Sequence, residues 1–234
     1  MSIANFLAKL SWLDWVGLVW FLVCWLVYEL VVERGWSGRT TLHEETHKLR
    51  LGWGRVMLKR NPRIVDVALI GNLLPSLSFY ANTSIYIIAA LFAALGAMDQ
   101  LMTAASELPF SRVITREATE FKLLVLLGVF VVAYFKFTWS LRQFNLLSIT
   151  LGAVPHEASE EELEMQARKF AAVNSCAGND FNRGLRAYYF GMAVMSWMLS
   201  AWLFIVATVL IVIVLARREF SSPVLKALTD YRKE

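Results

Sequence analysis

The chain is poor in the residues that most often carry enzyme chemistry and metal binding. Its 234 residues include only two cysteines and three histidines. Cys24 lies in an apolar run and Cys176 in a polar one, and no Cys-x-x-Cys or zinc-finger spacing is present, so neither a disulfide nor a cysteine-based metal site is indicated. The phosphate-binding, dinucleotide-binding and Gly-x-Ser-x-Gly signatures are also missing from the sequence. No cofactor is predicted.

Charge is scarce as well. Charged residues make up 18% of the chain and hydrophobic residues 57%, whereas soluble domains average about 25% and about 45–50%. The mean hydropathy is +0.51. The net charge of +4 is modest, and no basic tract resembles a nucleic-acid-binding surface. This composition predicts a membrane protein and argues against nucleic acid as a partner.

Four apolar runs are long enough to cross a bilayer, at residues 12–32, 72–98, 121–141 and 188–215. A helix needs about 20 such residues to span a hydrocarbon core of about 30 Å, and in lipid each run must be helical to satisfy its backbone. The first run is too long for a signal peptide and has no small-residue cleavage site, so it is expected to be retained. The predicted fold is therefore a single all-α domain over residues 1–234, an integral membrane bundle of four transmembrane helices.

Two long connections, 33–71 and 142–187, are each expected to hold one amphipathic surface helix. Thr41 and Glu44 have the spacing of a capping box, which predicts a helix from about 42 to 60 that stops at the Asn61-Pro62 pair. Ser159 and Glu162 form a second capping box, for a helix expected to end near 174–178.

The positions of lysine and arginine suggest an orientation. The two long connections carry thirteen of these residues, and the other side of a four-span topology carries eight. Cytoplasmic loops are enriched in Lys and Arg, so the long loops are expected in the cytoplasm and both termini outside. The Arg217-Arg218 pair opposes this orientation. The expected location is a bacterial inner (plasma) membrane, with several passes.

Charged residues inside spans are costly and therefore informative. Glu29 and Lys136 both lie near the ends of spans that emerge on the long-loop side, so an ion pair between them is geometrically possible. A structural role, as a pair or with the Lys136 amine reaching the interface, competes with a role in transport or binding.

Further polar residues collect where the long loops emerge. They are Arg63, Asp66, Arg142, Asn145, Asn182, Arg183 and Arg186. If all the spans open at this face, these side chains could line one vestibule. Arginine suits carboxylates and phosphates through paired hydrogen bonds, so a small anion or an anionic lipid head group would fit. Ordinary juxtamembrane charge is the simpler alternative.

The second span is the most polar. Asn72, Ser76 and Asn82 form part of a polar stripe that should face protein or water, either as helix-packing contacts or as a pore lining. In the fourth span Gly191, Ser196 and Ser200 are small, and the two serines four residues apart predict close helix packing. Four helices enclose little volume, so a pore would need several copies. A homo-oligomer is therefore expected.

One segment has an enzyme-like pattern. His43-Glu44-Glu45-Thr46-His47 matches His-Glu-x-x-His, in which the two histidines can bind zinc and the glutamate acts as a base. A third ligand is needed, and the remaining histidine is His156, far along the chain. A solvated helix start with acidic residues near its N-terminus explains the segment equally well. We do not expect an enzyme.

Several segments together resemble a known family. They are Arg60-Asn61-Pro62-Arg63-Ile64-Val65-Asp66, Ser78-Phe79-Tyr80-Ala81-Asn82-Thr83-Ser84, Arg142-Gln143-Phe144-Asn145, and the run from Asn182 to Phe190. The chain resembles a family of bacterial and plant membrane proteins catalogued as a domain of unknown function, number five hundred and ninety-nine of that series. The resemblance implies a multi-span membrane protein and no particular activity.

Two functions are left open by the sequence. The first is an oligomeric channel or transporter for a small solute or ion, based on Glu29, Lys136 and the polar stripe of the second span. The second is a non-catalytic membrane scaffold or lipid-binding protein, based on the surface helices and the arginine-rich segments. The expected partners are the lipid bilayer, anionic lipid head groups and further copies of the chain.

Overall fold

A computed structural model describes residues 10–34, 41–106, 115–155 and 158–230, and no strand occurs among them. Its helices, in chain order, are α1 (Trp12–Arg34), α2 (Leu42–Leu58), α3 (Ile64–Gly71), α4 (Leu74–Gly96), α5 (Met98–Ser106), α6 (Arg116–Gly152), α7 (Glu160–Trp197), α8 (Ala201–Phe220) and α9 (Pro223–Asp230).

Four segments are long and apolar enough to cross a membrane, which confirms the predicted class. They are Trp12–Glu33, Ile64–Gly96, Arg116–Gly152 and Ala201–Thr229. Large apolar side chains cover their outer surfaces, and examples are Trp12, Phe79, Phe135 and Trp202, each more than half exposed. An apolar outer surface of this extent is typical of a protein surrounded by lipid.

The first surface helix agrees with its prediction. The Thr41 hydroxyl accepts a hydrogen bond from the Glu44 amide at 3.1 Å, and α2 ends at Leu58, just before Asn61 and Pro62. The side-chain cap satisfies one amide that has no partner within the helix.

The second surface helix was predicted too short. The capping box of Ser159 and Glu162 is present in full and opens α7. The helix does not end near 174–178, however, and continues without a break to Trp197. Gly178, which suggested a stop, lies instead where α7 packs against α2, because a Cβ built on it would meet the Arg50 guanidinium. The glycine leaves room for the arginine.

The fourth span was expected as one helix over 188–215, and this prediction is wrong. The helix breaks after Trp197, and Ser200 caps the start of α8 by accepting a hydrogen bond from the Trp202 amide at 3.3 Å. The chain reverses there, since Phe204 stacks on Trp197 with ring centroids 4.7 Å apart while Arg218, further along α8, hydrogen-bonds Tyr189.

This reversal changes the topology. We call the end of the bundle that holds Glu33, Asp180 and Arg183 the basic end, and the end that holds Asp14 and Trp197 the opposite end. Helices α1, α4, α6, the second half of α7 and α8 run between these ends in alternating directions, so the described chain runs along the bundle five times. All of these except α7 belong to the four segments that are long and apolar enough to cross a membrane.

The C-terminal segment consequently lies at the basic end, beside the long connections. Glu219 accepts a hydrogen bond from the His43 amide at 2.9 Å, and α9 packs on α2. The expectation that both termini lie away from the long loops is therefore wrong for the described C-terminal segment, which ends at Asp230. It followed from counting residues 188–215 as a single pass.

Aromatic rings fill the interior between the two ends. Phe137 on α6 is fully buried and lies 5.4 Å from Tyr80, 5.7 Å from Phe181 and 5.5 Å from Tyr188, measured between ring centroids. Helix α7 approaches this ring at Gly184, where a Cβ would lie 2.6 Å from Phe137 Cε1. The contact requires a residue without a side chain.

Candidate functional site

A polar cavity of about 220 Å³ opens at the basic end. Four helices contribute to it: Val32 and Glu33 from α1, His43 from α2, Asn179, Asn182, Arg183 and Arg186 from α7, and Glu219 from α8. We call it the basic-end cavity. The continuation of α7 past the expected stop places these four polar side chains on one unbroken helix.

Arg186 is the most notable side chain of the cavity. It is 8% exposed, its guanidinium carbon lies 5.9 Å from the centre of the Tyr28 ring, and its Nε has no hydrogen-bond partner. The buried Oδ1 of Asn179 also lacks a partner. A buried polar atom without a partner costs free energy. The cavity therefore offers one donor and one acceptor to a ligand.

The cavity is also lined by two carboxylates, those of Glu33 and Glu219. Arg183 donates from Nε to Glu33 Oε1 at 2.9 Å and from Nη1 to Asp180 Oδ1 at 3.3 Å, so its charge is balanced within the protein. Glu219 is held by the backbone amide of His43. Burial lowers the pKa of His43, against the opposing effect of Glu219, and so favours the neutral imidazole.

Lys136 belongs to a charge network beside the cavity. Its Nζ lies 3.1 Å from Asp180 Oδ1, and Gln143 Nε2 donates to the other carboxylate oxygen at 2.6 Å. The ion pair considered for Lys136 and Glu29 is thus not formed: Glu29 instead accepts a hydrogen bond from Trp25 Nε1 at 3.3 Å. The reason is again α7, which places Asp180 between the two spans.

Arg63 and Asp66 lie together at the start of α3, apart from the cavity. Asp66 is fully buried and accepts hydrogen bonds from Trp53 Nε1 at 2.8 Å and from Arg60 at 3.0 Å. Arg63 donates to the carbonyls of Leu58 and, at 3.4 Å, of Val154. These contacts fasten α3 to α2 and to the end of α6.

Arg142 and Asn145 are exposed on α6. The Arg142 guanidinium lies over the exposed Trp139 ring, 5.6 Å from its centre. Of the seven polar residues predicted at this face, the structure brings Asn182, Arg183 and Arg186 into one cavity and leaves the other four outside it.

The predicted polar stripe of the second span is divided between two faces. Asn72, just before α4, and Ser76 and Asn82, on α4, are all exposed on the outside of the monomer. Ser84 faces inward, is fully buried and hydrogen-bonds Tyr188 at 2.9 Å. The stripe therefore lines no path within one chain.

The small residues of the fourth span have separate roles. Gly191 allows close contact, since a Cβ built there lies 3.1 Å from Phe130 Cζ. Ser196 and Ser200 do not form the predicted packing pair, because Ser196 is in α7 and Ser200 is the cap of α8.

A buried charge cluster at the opposite end was missed by the sequence analysis. Lys122 Nζ lies 3.4 Å from Asp14 Oδ1 and donates to the Trp197 carbonyl at 3.1 Å, while Trp197 Nε1 donates to Asp14 Oδ1 at 2.7 Å. Asp14 and Lys122 are charged residues near the ends of predicted spans, which is the same signal that identified Lys136 as a candidate.

An apolar groove runs along the outside of the bundle between α1 and α8, with a volume of about 520 Å³. We call it the α1–α8 groove. Its lining residues are Trp20, Val23, Cys24, Val27, Tyr28 and Val31 from α1 and Val212, Ala216, Arg217, Phe220 and Ser221 from α8 and the residue that follows it.

The two histidines of the His-Glu-x-x-His segment point to different partners. His43 lines the basic-end cavity, and His47 Nδ1 lies 2.8 Å from Ser175 Oγ. Within the described residues no group of three or more His, Cys, Asp or Glu side chains has a metal-binding arrangement. His156 lies outside those residues.

Comparison with known proteins places the chain in a family. The family model described as "Protein of unknown function, DUF599" matches residues 16–224. No curated protein and no solved structure matches the chain. Because the family match covers most of the sequence, the chain belongs to this family, and the expected resemblance is confirmed.

Proposed function

We propose that this member of the DUF599 family is a non-catalytic membrane protein that binds the head group of a phosphoglyceride in its basic-end cavity. One observation carries the proposal: Arg186 is buried in the cavity wall with an unpartnered Nε. A phosphate oxygen is the natural acceptor for an arginine N–H. A hydroxyl or ammonium group on the same head group would donate to Asn179 Oδ1.

Electrostatics supports an anionic ligand at this end. Besides Lys136, fourteen of the described Lys and Arg residues lie there, whereas Arg116 and Lys122 lie at the opposite end. The fourteen are Lys48, Arg50, Arg55, Lys59, Arg60, Arg63, Arg142, Arg168, Lys169, Arg183, Arg186, Arg217, Arg218 and Lys226. Anionic lipids attract basic segments close to the membrane surface. By the positive-inside rule the basic end is cytoplasmic, and we assign the protein to a bacterial inner membrane.

The reversal after Trp197 supports a single orientation for all the basic segments. With the C-terminal segment at the basic end, Arg217 and Arg218 join the cytoplasmic side instead of opposing it. We infer that the long connections and the C-terminal helix are cytoplasmic and that the chain enters the bundle from the other side.

Native mass spectrometry of the detergent-purified protein tests the proposal. Phosphatidylglycerol and phosphatidylcholine are added at equal amounts, and the bound fraction of each is measured. We expect Arg186→Gln to reduce phosphatidylglycerol binding about tenfold, which corresponds to about 1.4 kcal/mol. The control is Arg142→Gln, which removes an exposed charge at the same end and should change binding less than twofold.

A second variant is expected to increase phosphatidylglycerol binding. Glu219→Gln keeps an oxygen for the His43 amide but removes a negative charge from the cavity, so phosphatidylglycerol should bind more tightly. Unchanged binding in both Arg186→Gln and Glu219→Gln would refute the proposal. If the ligand is a free anion and not a lipid, glycerol phosphate and the intact lipid should raise the unfolding midpoint of the protein by the same amount.

Transport by an oligomer is the second candidate, and a separate observation favours it. Asn72, just before α4, and Ser76 and Asn82, on α4, are exposed, and polar side chains that face lipid are unfavourable. Several copies that meet along α4 would enclose these side chains. Flux of ions and small osmolytes into liposomes tests this function, and Asn82→Leu should abolish any flux. No flux for any solute with the wild-type protein would rule against it.

A further inference from the structure

We propose that the α1–α8 groove holds one acyl chain of the lipid whose head group occupies the basic-end cavity. The inference rests on the proposed function for its head group, and it adds the part of the ligand that lies in the membrane. The groove is a separate feature of the molecule, since it lies on the lipid-facing side of the two helices.

The polarity of the groove matches a lipid. The wall is apolar from Trp20 to Val31, and the charged Arg217 and the hydroxyl of Ser221 lie at one end only. That end is the basic end, where α8 meets α2 through Glu219. A single acyl chain with a phosphate at its end has the same arrangement.

The length of the groove distinguishes a lipid chain from a helix of a second copy. Residues Trp20 to Val31 extend about 16 Å along α1 at about 1.5 Å per residue. This is close to half of a hydrocarbon core of about 30 Å. One leaflet of a bilayer has this depth, whereas a transmembrane helix would need a groove along the full length of the bundle.

The groove and the cavity share a wall. Tyr28 lines the groove, and its ring lies beneath the Arg186 guanidinium of the cavity. Consecutive residues also face the two sites: Val31 and Phe220 line the groove, and Val32 and Glu219 line the cavity. A head group in the cavity is therefore next to a chain in the groove.

Filling the groove tests the inference. Val27→Trp places a large ring in the groove, and Leu26→Trp places the same ring on the neighbouring exposed position that does not line it. In native mass spectrometry with phosphatidylglycerol, we expect Val27→Trp to reduce the bound fraction at least fivefold and Leu26→Trp to leave it within twofold of wild type. Equal binding in the two variants would overturn the inference.

The two native cysteines provide a second measurement, in protein whose groove is not filled by a tryptophan. Cys24 lines the groove, and Cys176 is exposed outside it. In Cys176→Ser protein, phosphatidylglycerol should slow alkylation of Cys24 by N-ethylmaleimide severalfold. In Cys24→Ser protein, alkylation of Cys176 should not change. A Cys24 rate that is insensitive to the lipid would also overturn the inference.

Failure of the groove and failure of the head-group site give different results. Loss of binding in Arg186→Gln with full binding in Val27→Trp refutes the groove and leaves the proposed function intact. Loss in Val27→Trp with full binding in Arg186→Gln refutes the head-group site and supports a chain in the groove. If a second copy of the protein occupied the groove, Val27→Trp would lower the oligomeric mass and not the lipid content, which would overturn the inference.

Discussion

Replacing Gly184 by alanine tests the closest helix contact in the bundle. The added Cβ would lie 2.6 Å from Phe137 Cε1 and 2.8 Å from Cδ1 and Cζ. Phe137 cannot move aside easily, since it is fully buried and packs against Tyr80, Phe181 and Tyr188. Overpacking of a buried site costs about 1–3 kcal/mol. Gly184→Ala should therefore destabilise the protein.

The matched control is Gly128→Ala. Gly128 lies on α6 with no atom within 4 Å of a built Cβ, and both substitutions gain the same helix propensity, up to about 1 kcal/mol. The difference between the two variants then isolates the overpacking. For a chain of this size each kcal/mol shifts the unfolding midpoint by about 2–4 °C, so the midpoint of Gly184→Ala should lie roughly 2–12 °C below that of Gly128→Ala.

The assay is thermal unfolding of detergent-purified protein, followed by the fraction that remains monodisperse on size exclusion at one fixed heating rate. In a Phe137→Leu background, the difference in unfolding midpoint between Gly184→Ala and Gly128→Ala should be smaller, because leucine lacks the ring atoms that the added Cβ would meet. The Gly184→Ala/Phe137→Leu double variant should therefore be more stable than the sum of the two single losses predicts. If Gly184→Ala and Gly128→Ala unfold at the same temperature, α6 and α7 do not approach each other at Phe137, and the packing described for the bundle is wrong.

Three further predictions concern the charged ends. Lys122→Met leaves Asp14 buried without its ion-pair partner, so it should cost about 3–5 kcal/mol, and adding Asp14→Asn should recover part of the lost midpoint; equal stability of Lys122→Met and wild type would contradict the buried pair. In Cys24→Ser protein, a membrane-impermeant maleimide should label Cys176 in inverted membrane vesicles and not in intact spheroplasts, and the reverse result would place the basic end outside. Burial lowers the pKa of His43 in the folded protein below its usual value of 6.5. As the pH falls below about 6.5, the unfolded state therefore binds a proton more readily than the folded state, and the free energy of unfolding decreases. The drop in unfolding midpoint from pH 7 to pH 5 should consequently be smaller in His43→Gln than in the wild type.

Local signals in the sequence are sufficient to predict the starts of α2 and α7 and the first three apolar spans. Thr41 and Ser159 were identified as caps because a hydroxyl followed three residues later by glutamate is a short-range pattern. The break at Ser200 has no such marker. The residues around it, from Met198 to Phe204, are apolar apart from the serine and contain neither glycine nor proline, so hydropathy alone cannot distinguish a tight hairpin from a continuous span.

That one missed turn accounts for most of the errors in the predicted site. Because α7 runs along the bundle as a separate helix, Asp180 lies next to Lys136, and Glu29 accepts a hydrogen bond from Trp25 instead. Arg186 reaches the cavity for the same reason, together with Glu219 from the returning α8. Pairings of this kind depend on helices distant in sequence, and no periodicity within a single span contains that information.

The position of the charged groups also narrows where any activity can occur. The Asp14–Lys122 pair with Trp197 is at one end, the Lys136–Asp180 network is at the other, and aromatic rings pack the space between them. A solute that crosses within one protomer would have to displace these rings, among them the fully buried Phe137 and Phe190. Binding at the basic end requires no such displacement. Lipid binding by the monomer is therefore the simpler function for this architecture, and transport would require the surface of α4 and a second copy.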